Sequence, residues 1–104
     1  MTKYQIFYDR QGRPMPDSEA WTRKNADPEY RRVASTVLPD GKRVSTVWVG
    51  LDYRFGRGPP LIFETMVFPS EDSSFGDQFE RYSTEEAALK GHKRLVEKWS
   101  KPQQ

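Results

Sequence analysis

The chain has 104 residues, of which 35% are apolar and 31% are charged, and 17 Lys and Arg against 15 Asp and Glu give a formal net charge of +2. This size suits one folded domain, so we expect a single domain over 1–104 with a frayed tail over 100–104. Because the chain has no cysteine, disulfides, thiol catalysis and cysteine-based zinc sites are excluded.

Membrane segments and export signals are not expected. No apolar run approaches the roughly 18 residues that a transmembrane helix needs. The N-terminus lacks the apolar core of a signal peptide. We therefore expect a cytoplasmic protein without a membrane partner.

The N-terminal part predicts a strand followed by helix. Lys3–Asp9 alternates aromatic or aliphatic residues with polar ones, which is typical of a strand. A turn rich in Gly and Pro follows, and Asp17 or Ser18 can then cap a short helix within residues 17–25. Asp27 and Pro28 suit the cap and first position of a further helical turn, with an irregular link as the alternative.

The middle of the chain predicts a β-hairpin. Residues 30–38 and 42–52 are rich in β-branched side chains and flank a Pro-Asp-Gly turn. A type I turn with a bulge requires positive φ at Gly41. The resulting register places Val33 opposite Val47.

Alternation along these two strands separates two faces. The first is expected to join the core because all its members are apolar, and the second is mixed. A shift of one residue in the pairing would exchange the faces. The expected core face comprises Val33, Val37, Val47, Val49 and Leu51; the mixed face comprises Arg32, Thr36, Thr46, Trp48 and Asp52.

The C-terminal half predicts two more strands and a helix. Residues 61–68, "LIFETMVF", form the most apolar segment, and residues 79–83 form a short strand. A helix over 83–99 starts with an expected capping box between Ser83 and Glu86. The order β-α-β-β-β-β-α indicates an α+β fold, an antiparallel meander of about five strands with two helices packed against it.

Catalytic and metal-binding patterns are missing from the sequence. The only histidine, His92, lies on the apolar stripe of the last predicted helix, where a packed histidine is favoured over a catalytic one. No segment has the ligand spacing of a known metal site. We expect no catalytic residue, metal or cofactor, and a small enzyme using Asp52, Glu64 and His92 stays open as an alternative.

Glu64 stands in the middle of an apolar strand. A buried carboxylate must be paired or protonated. We favour a structural pair with an Arg, Lys or hydroxyl group on a neighbouring strand. An acid–base pair with Asp52 and a binding role remain as alternatives.

Binding is the leading functional expectation. Trp and Arg are enriched at binding hot spots, and here Trp48 is expected among polar strand residues beside an arginine-bearing loop. The expected partner is a macromolecule bound at an exposed sheet face or edge, and the oligomeric state is open. The alternative is a nucleic-acid binder that stacks bases on Trp48, Tyr53 and Phe55 and contacts phosphate through Arg32, Arg43, Arg54 and Arg57. The candidate binding residues are Trp48, Asp52, Tyr53, Arg54, Arg57 and Glu64.

Two strings of the sequence carry a resemblance to a family. "RVSTVWVGLDYRFGRGPPLIFETMVF" and the later "ERYSTEEAALKGHKRLV" resemble small uncharacterised proteins of tailed bacteriophages, prophages and bacteria, over about Tyr30 to Val96. In that pattern a histidine is common at the position of Tyr53 and a glycine at that of Arg57. The resemblance implies a phage or bacterial accessory protein, and a host or phage protein as its partner. It implies no activity, substrate or catalytic residue.

Overall fold

A computed structural model describes residues 6–52, 58–76 and 78–101. The four strands form one sheet in the order β1-β2-β3-β4, and every neighbouring pair is antiparallel. The predicted α+β class with an antiparallel meander is confirmed. The elements are α1 (Ser18–Asn25), α2 (Pro28–Arg31), β1 (Arg32–Val37), β2 (Arg43–Trp48), β3 (Phe63–Phe68), β4 (Gln78–Tyr82) and α3 (Glu85–Ser100).

The sheet has four strands rather than the five expected. The expected first strand begins at Lys3–Gln5, which lie outside the described residues, and its later part makes only isolated bridges, from Phe7 to Leu51 and from Tyr8 to Pro14. Proline has no backbone N–H to continue a ladder, so this pairing cannot extend into a strand. This segment instead pairs with the turn that follows it, through the bridge between Tyr8 and Pro14. Residues 102–104 of the expected frayed tail also lie outside the described residues.

The first hairpin follows the predicted turn and most of the predicted register. Gly41 has a φ of 94°, as a bulged type I turn requires. Pairing runs as expected from the turn as far as Ala34. Val47 then pairs with Arg32 instead of Val33, because the register shifts between Arg32 and Ala34. The extra residue of this bulge places Arg32 on the same side of the sheet as Val47.

The predicted assignment of the two faces is wrong. The buried residues of β2 are Val44, Thr46 and Trp48, whereas Val47 is half-buried and Val37 on β1 is 48% exposed. The sequence predicted the opposite face as the core face because that face carries more valines. Thr46 and Thr65 are nevertheless buried on the face that α3 covers, because their hydroxyl groups have polar partners there, as described below.

The sheet therefore has an inner face, covered by α3, and an outer face. The core on the inner side forms two clusters, and Leu95 of α3 belongs to the second, with half-buried Trp99 packed against it. Thr84 caps α3 by accepting from the N–H of Ala87, one residue later than the expected capping box. The clusters comprise Met15, Trp48, Ile62, Phe63, Tyr82 and Ala88 in the first and Leu38, Val44, Val67 and Leu95 in the second.

The outer face carries the side chains that alternate with the core. Strand pairing places on it Arg32, Ser35 and Val37 of β1, Arg43, Ser45 and Val47 of β2, Glu64, Met66 and Phe68 of β3, and Arg81 of β4. The longest described helix, α3, has 16 residues. No described helix combines the length and apolar character needed to cross a membrane.

Replacing Leu95 with alanine tests the packing of α3. Leu95 is 1% exposed in the second core cluster, so Leu95→Ala should lower the free energy of unfolding by about 2–5 kcal/mol. The matched control is Leu89→Ala, since Leu89 lies on the same helix but is 45% exposed and should cost less than about 0.5 kcal/mol. Urea denaturation measures both values. Equal losses would show that α3 does not pack through Leu95.

Candidate binding groove on the outer sheet face

Two adjoining cavities lie on the outer face. One has a volume of about 350 Å³ and the other about 260 Å³, and Arg31 and Val47 line both. Trp21, Val49 and Leu51 give the larger cavity an apolar wall. We call the two cavities together the outer-face groove.

Local structure at the start of β1 and β2 brings three arginines to the groove. Asp27 accepts the N–H groups of residues 29 and 30 and starts α2, which ends at Arg31. Arg32 follows as the first residue of β1, where the bulge turns it outward. Arg43 begins β2 and also lines the smaller cavity. Positive charge is therefore concentrated along the β1–β2 half of the groove.

These three arginines carry uncompensated charge. None of Arg31, Arg32 and Arg43 forms an ion pair with any residue that the structure describes. The guanidinium group of Arg43 lies 4.2 Å from the ring centroid of Phe68, which holds it on the outer face. The groove is therefore suited to a ligand with negative charge.

Glu64 lies at the rim of the larger cavity and is paired. It stands opposite Arg81 on β4, whose Nε donates to its Oε2 over 3.2 Å. The side chain of Glu64 is 16% exposed and that of Arg81 is 40% exposed. The expected structural partner on a neighbouring strand is thus present. Glu64 and Arg81 also line the groove, so a structural role and a binding role of Glu64 are compatible.

Trp48 is a core residue and not an exposed one. Its side chain is 0% exposed, and its indole Nε1 donates to the carbonyl of Tyr8 over 3.0 Å. Tyr30 packs edge-on against it with ring centroids 5.0 Å apart. The expected role of Trp48 as an exposed binding residue is contradicted by this burial, although Trp48 is among the residues that line the larger cavity.

Asp52, Glu64 and His92 do not converge on an active site. Asp52 is buried, and its backbone N–H donates to Ile6. Tyr53, Arg54 and Arg57 lie outside the described residues. Glu64 is on the outer face, while His92 on α3 contacts the inner face through Thr46, so the sheet separates them. The proposed trio of Asp52, Glu64 and His92 cannot act on one substrate.

His92 belongs to a buried polar network. Thr36 Oγ1 lies 2.9 Å from its Nε2, and Thr46 Oγ1 lies 2.8 Å from its Nδ1. Thr46 also contacts Thr65 Oγ1 at 2.5 Å. Both ring nitrogens are satisfied by neutral hydroxyl groups, and burial lowers the pKa of His92. The packed role expected for this histidine fits this environment, because no carboxylate is among its hydrogen-bond partners.

The sequence indicated the three arginines only as part of a larger basic group. Arg31, Arg32 and Arg43 stand among the basic residues for which a solvated face is favoured, and Arg32 and Arg43 are phosphate contacts of the nucleic-acid alternative. One sequence signal could have indicated this group of arginines. It is the pair Arg31-Arg32, at the junction of a capped helical turn and a strand, with Arg43 following 11 residues after Arg32. The side of the sheet on which Arg32 lies depends on the bulge, and the sequence did not predict the bulge.

Comparison with known proteins adds no family. No protein-family model matches the chain, and no curated protein or solved structure matches it. Across residues 6–52, 58–76 and 78–101, no three His, Asp or Glu side chains group in a way that can hold a metal ion.

Replacing His92 with glutamine tests the buried network through pH. Burial places the pKa of His92 below its ordinary value of 6.5, so the unfolded chain binds protons first as the pH falls. The wild type should therefore lose stability as the pH drops below about 6.5, with the loss levelling off below the folded-state pKa. In His92→Gln this part of the loss should disappear. Thermal melts at several pH values between about 7 and 5 measure it.

Two other titratable groups near α3 leave that pH range clear. Burial raises the pKa of Tyr82, and the hydrogen bond from Arg94 lowers the pKa of Glu80. Neither group therefore titrates between about 5 and 7. An unchanged pH dependence in His92→Gln would contradict the assignment of the effect to His92.

A double-mutant cycle tests the ion pair of Glu64. The variants are Glu64→Gln, Arg81→Gln and the combination, compared by urea denaturation. The pair is partly exposed, so its coupling energy should be below about 1 kcal/mol, and Glu64→Gln alone should lower the melting temperature only slightly. A coupling energy well above this value would mean that Glu64 holds the fold together and is not free for a role in binding.

Proposed function

We propose that the protein is a non-enzymatic binding module that engages an acidic segment of a partner protein in the outer-face groove. The observation that carries this proposal is the cluster of Arg31, Arg32 and Arg43, without acidic partners among the described residues, around cavities with an apolar wall. Carboxylates accept bidentate hydrogen bonds from guanidinium groups, and the apolar wall can bury the side chains between them.

The edge of the sheet supports a peptide-like ligand. β1 is the terminal strand of the sheet and pairs only with β2 among the described strands. Its outer backbone groups can hydrogen-bond an extended segment, while Arg32 and Ser35 lie on the adjoining face. An acidic strand added here would place its alternate side chains over the groove.

A nucleic acid fits the described part of the groove less well. Single strands bind by stacking bases on exposed aromatic rings. Trp48 is buried, Trp21 is tied through its Nε1 to the carbonyl of Val49, and Arg43 covers Phe68. Tyr53 and Phe55 lie outside the described residues. The described groove therefore offers charge for phosphate, and of these three rings only that of Trp21, half-buried at the cavity wall, is left to stack on a base.

The biological setting of this proposal follows from the resemblance to phage and bacterial accessory proteins. In that setting the partner is a host or phage protein in the bacterial cytoplasm. Its acidic character is the property by which it would be recognised. Cofactors and metals have no part in the proposed interaction.

Charge reversal tests the groove. The probe is a fluorescein-labelled peptide of alternating Glu and Leu, and fluorescence anisotropy at low and high salt measures its affinity. Arg31→Glu combined with Arg43→Glu should weaken binding by about tenfold or more, because both favourable contacts become repulsive. The control is Lys93→Glu combined with Lys101→Glu, two exposed residues away from the groove that change the net charge equally.

Two outcomes would contradict the proposal. Equal weakening by the groove variant and the control would show that only the net charge matters. Tighter binding of an oligothymidine than of the peptide, with a steep dependence on salt, would favour the nucleic-acid alternative.

A further inference from the structure

We propose that the partner of the outer face is a second copy of this chain, related to the first by a two-fold axis that runs parallel to the strands above the face. This inference rests on the proposed function, because it names the acidic segment that the groove receives. That segment is the loop from Pro69 to Gly76, between β3 and β4.

The β3–β4 loop has the composition that the groove requires. Glu71 and Asp72 form no ion pair with a residue that the structure describes. Phe75 is 82% exposed, more than any other large apolar residue described. Its N–H donates to Ser73 Oγ, which in turn donates to the carbonyl of Phe75, so the turn that presents the ring is ordered. The loop therefore offers two free carboxylates and one apolar side chain.

The loop borders the outer face. A Cβ built on Gly76 would lie 2.7 Å from Cε of Met66, and Met66 is an outer-face residue of β3. Gly76, at the end of the loop, therefore lies on the same side of the sheet as the groove. Phe75, next to Gly76, is exposed at that border.

The outer face is self-complementary in charge. The free arginines occupy its β1–β2 half, and the acidic loop borders its β3–β4 half. A two-fold axis parallel to the strands carries the β1–β2 half of one copy over the β3–β4 half of the other. Each contact then occurs twice, as in other isologous dimers.

Strand pairing sets which residues meet at one end of the sheet. Arg43 pairs with Phe68, the last residue of β3, so it lies at the end from which the loop departs. The two-fold axis keeps this level, and Arg43 of one copy comes opposite Glu71 and Asp72 of the other. At the opposite end, Arg32 of one copy comes to the level of the Glu64–Arg81 ion pair of the other, since Glu64 pairs with both Val47 and Arg81.

The exposed apolar side chains follow the same geometry. Val37 is 48% exposed on the outer face of β1 and pairs with Arg43, at the level of the loop. The two-fold operation brings β1 of one copy over the β3–β4 loop of the other, so Val37 would cover Phe75. The dimer would therefore bury two of the exposed large apolar residues of the described chain at once.

The dimer predicts a specific response to substitution. Sedimentation velocity from about 5 to 500 µM should show a monomer–dimer equilibrium for the wild type. Phe75→Ser should raise the dimer dissociation constant by about tenfold or more, whereas Leu89→Ser, at an exposed leucine of α3, should leave it unchanged. A wild type that stays monomeric over this range, or a dimer that Phe75→Ser does not weaken, would overturn the inference.

A charge swap tests the two-fold geometry. Arg43→Glu alone and Glu71→Arg with Asp72→Arg should each be monomeric, because both copies of the contact become repulsive. Mixed in equal amounts, the two variants should form a heterodimer, since each pairing then joins opposite charges. A dimer of either variant alone, or a mixture that stays monomeric although the wild type dimerises, would overturn this arrangement.

The Phe75→Ser variant separates this inference from the proposed function. It keeps the groove arginines, so the labelled Glu-Leu peptide should bind it as a monomer. Binding of the peptide by a wild type that never dimerises would overturn the dimer and leave the groove's function supported. Failure of the monomeric variant to bind the peptide would overturn the proposed function.

Discussion

The packing of α3 on one face of the sheet determines the rest of the structure. The buried stripe of α3 carries His92 beside Ala88 and Leu95, and a buried histidine needs polar partners on the sheet beneath it. Thr36 and Thr46 supply them from neighbouring strands, and Thr65 extends the network to β3. These threonines face the helix. Strand alternation therefore turns the residues next to each of them on the same strand outward.

The outer face is thus defined by what the inner face requires. Once Thr46 and Trp48 point inward, Arg43, Ser45 and Val47 must point outward, and β3 follows because Val47 pairs with Glu64. This explains why a strand as apolar as 61–68 carries a carboxylate without a buried charge. Glu64 stands on the outer side, where solvent and Arg81 both reach it. The groove and the core are two consequences of one register.

Local signals in the sequence predicted local structure well. The Asp27-Pro28 start of α2, the positive φ of Gly41 and the first pairs of the hairpin all follow from the chemistry of a few adjacent residues. The inward face was not predictable in the same way. A polar threonine is expected to be exposed unless it has a buried partner. For Thr46 that partner is His92, which lies 46 residues further along the chain. The bulge after Arg32 was not predicted from the sequence either, and the outward placement of Arg32 depends on it.

The groove arginines point to function because every other arginine that the structure describes forms an ion pair. Arg10 pairs with Glu85, Arg81 with Glu64 and Arg94 with Glu80, and each pair joins two different segments of the chain. Arg31, Arg32 and Arg43 line one cavity without such a partner among the described residues, so their like charges are not offset there. Uncompensated charge of one sign on one surface is a cost that folding alone does not explain. A ligand of opposite charge removes that repulsion on binding, and the acidic β3–β4 loop on the same face has the complementary deficit.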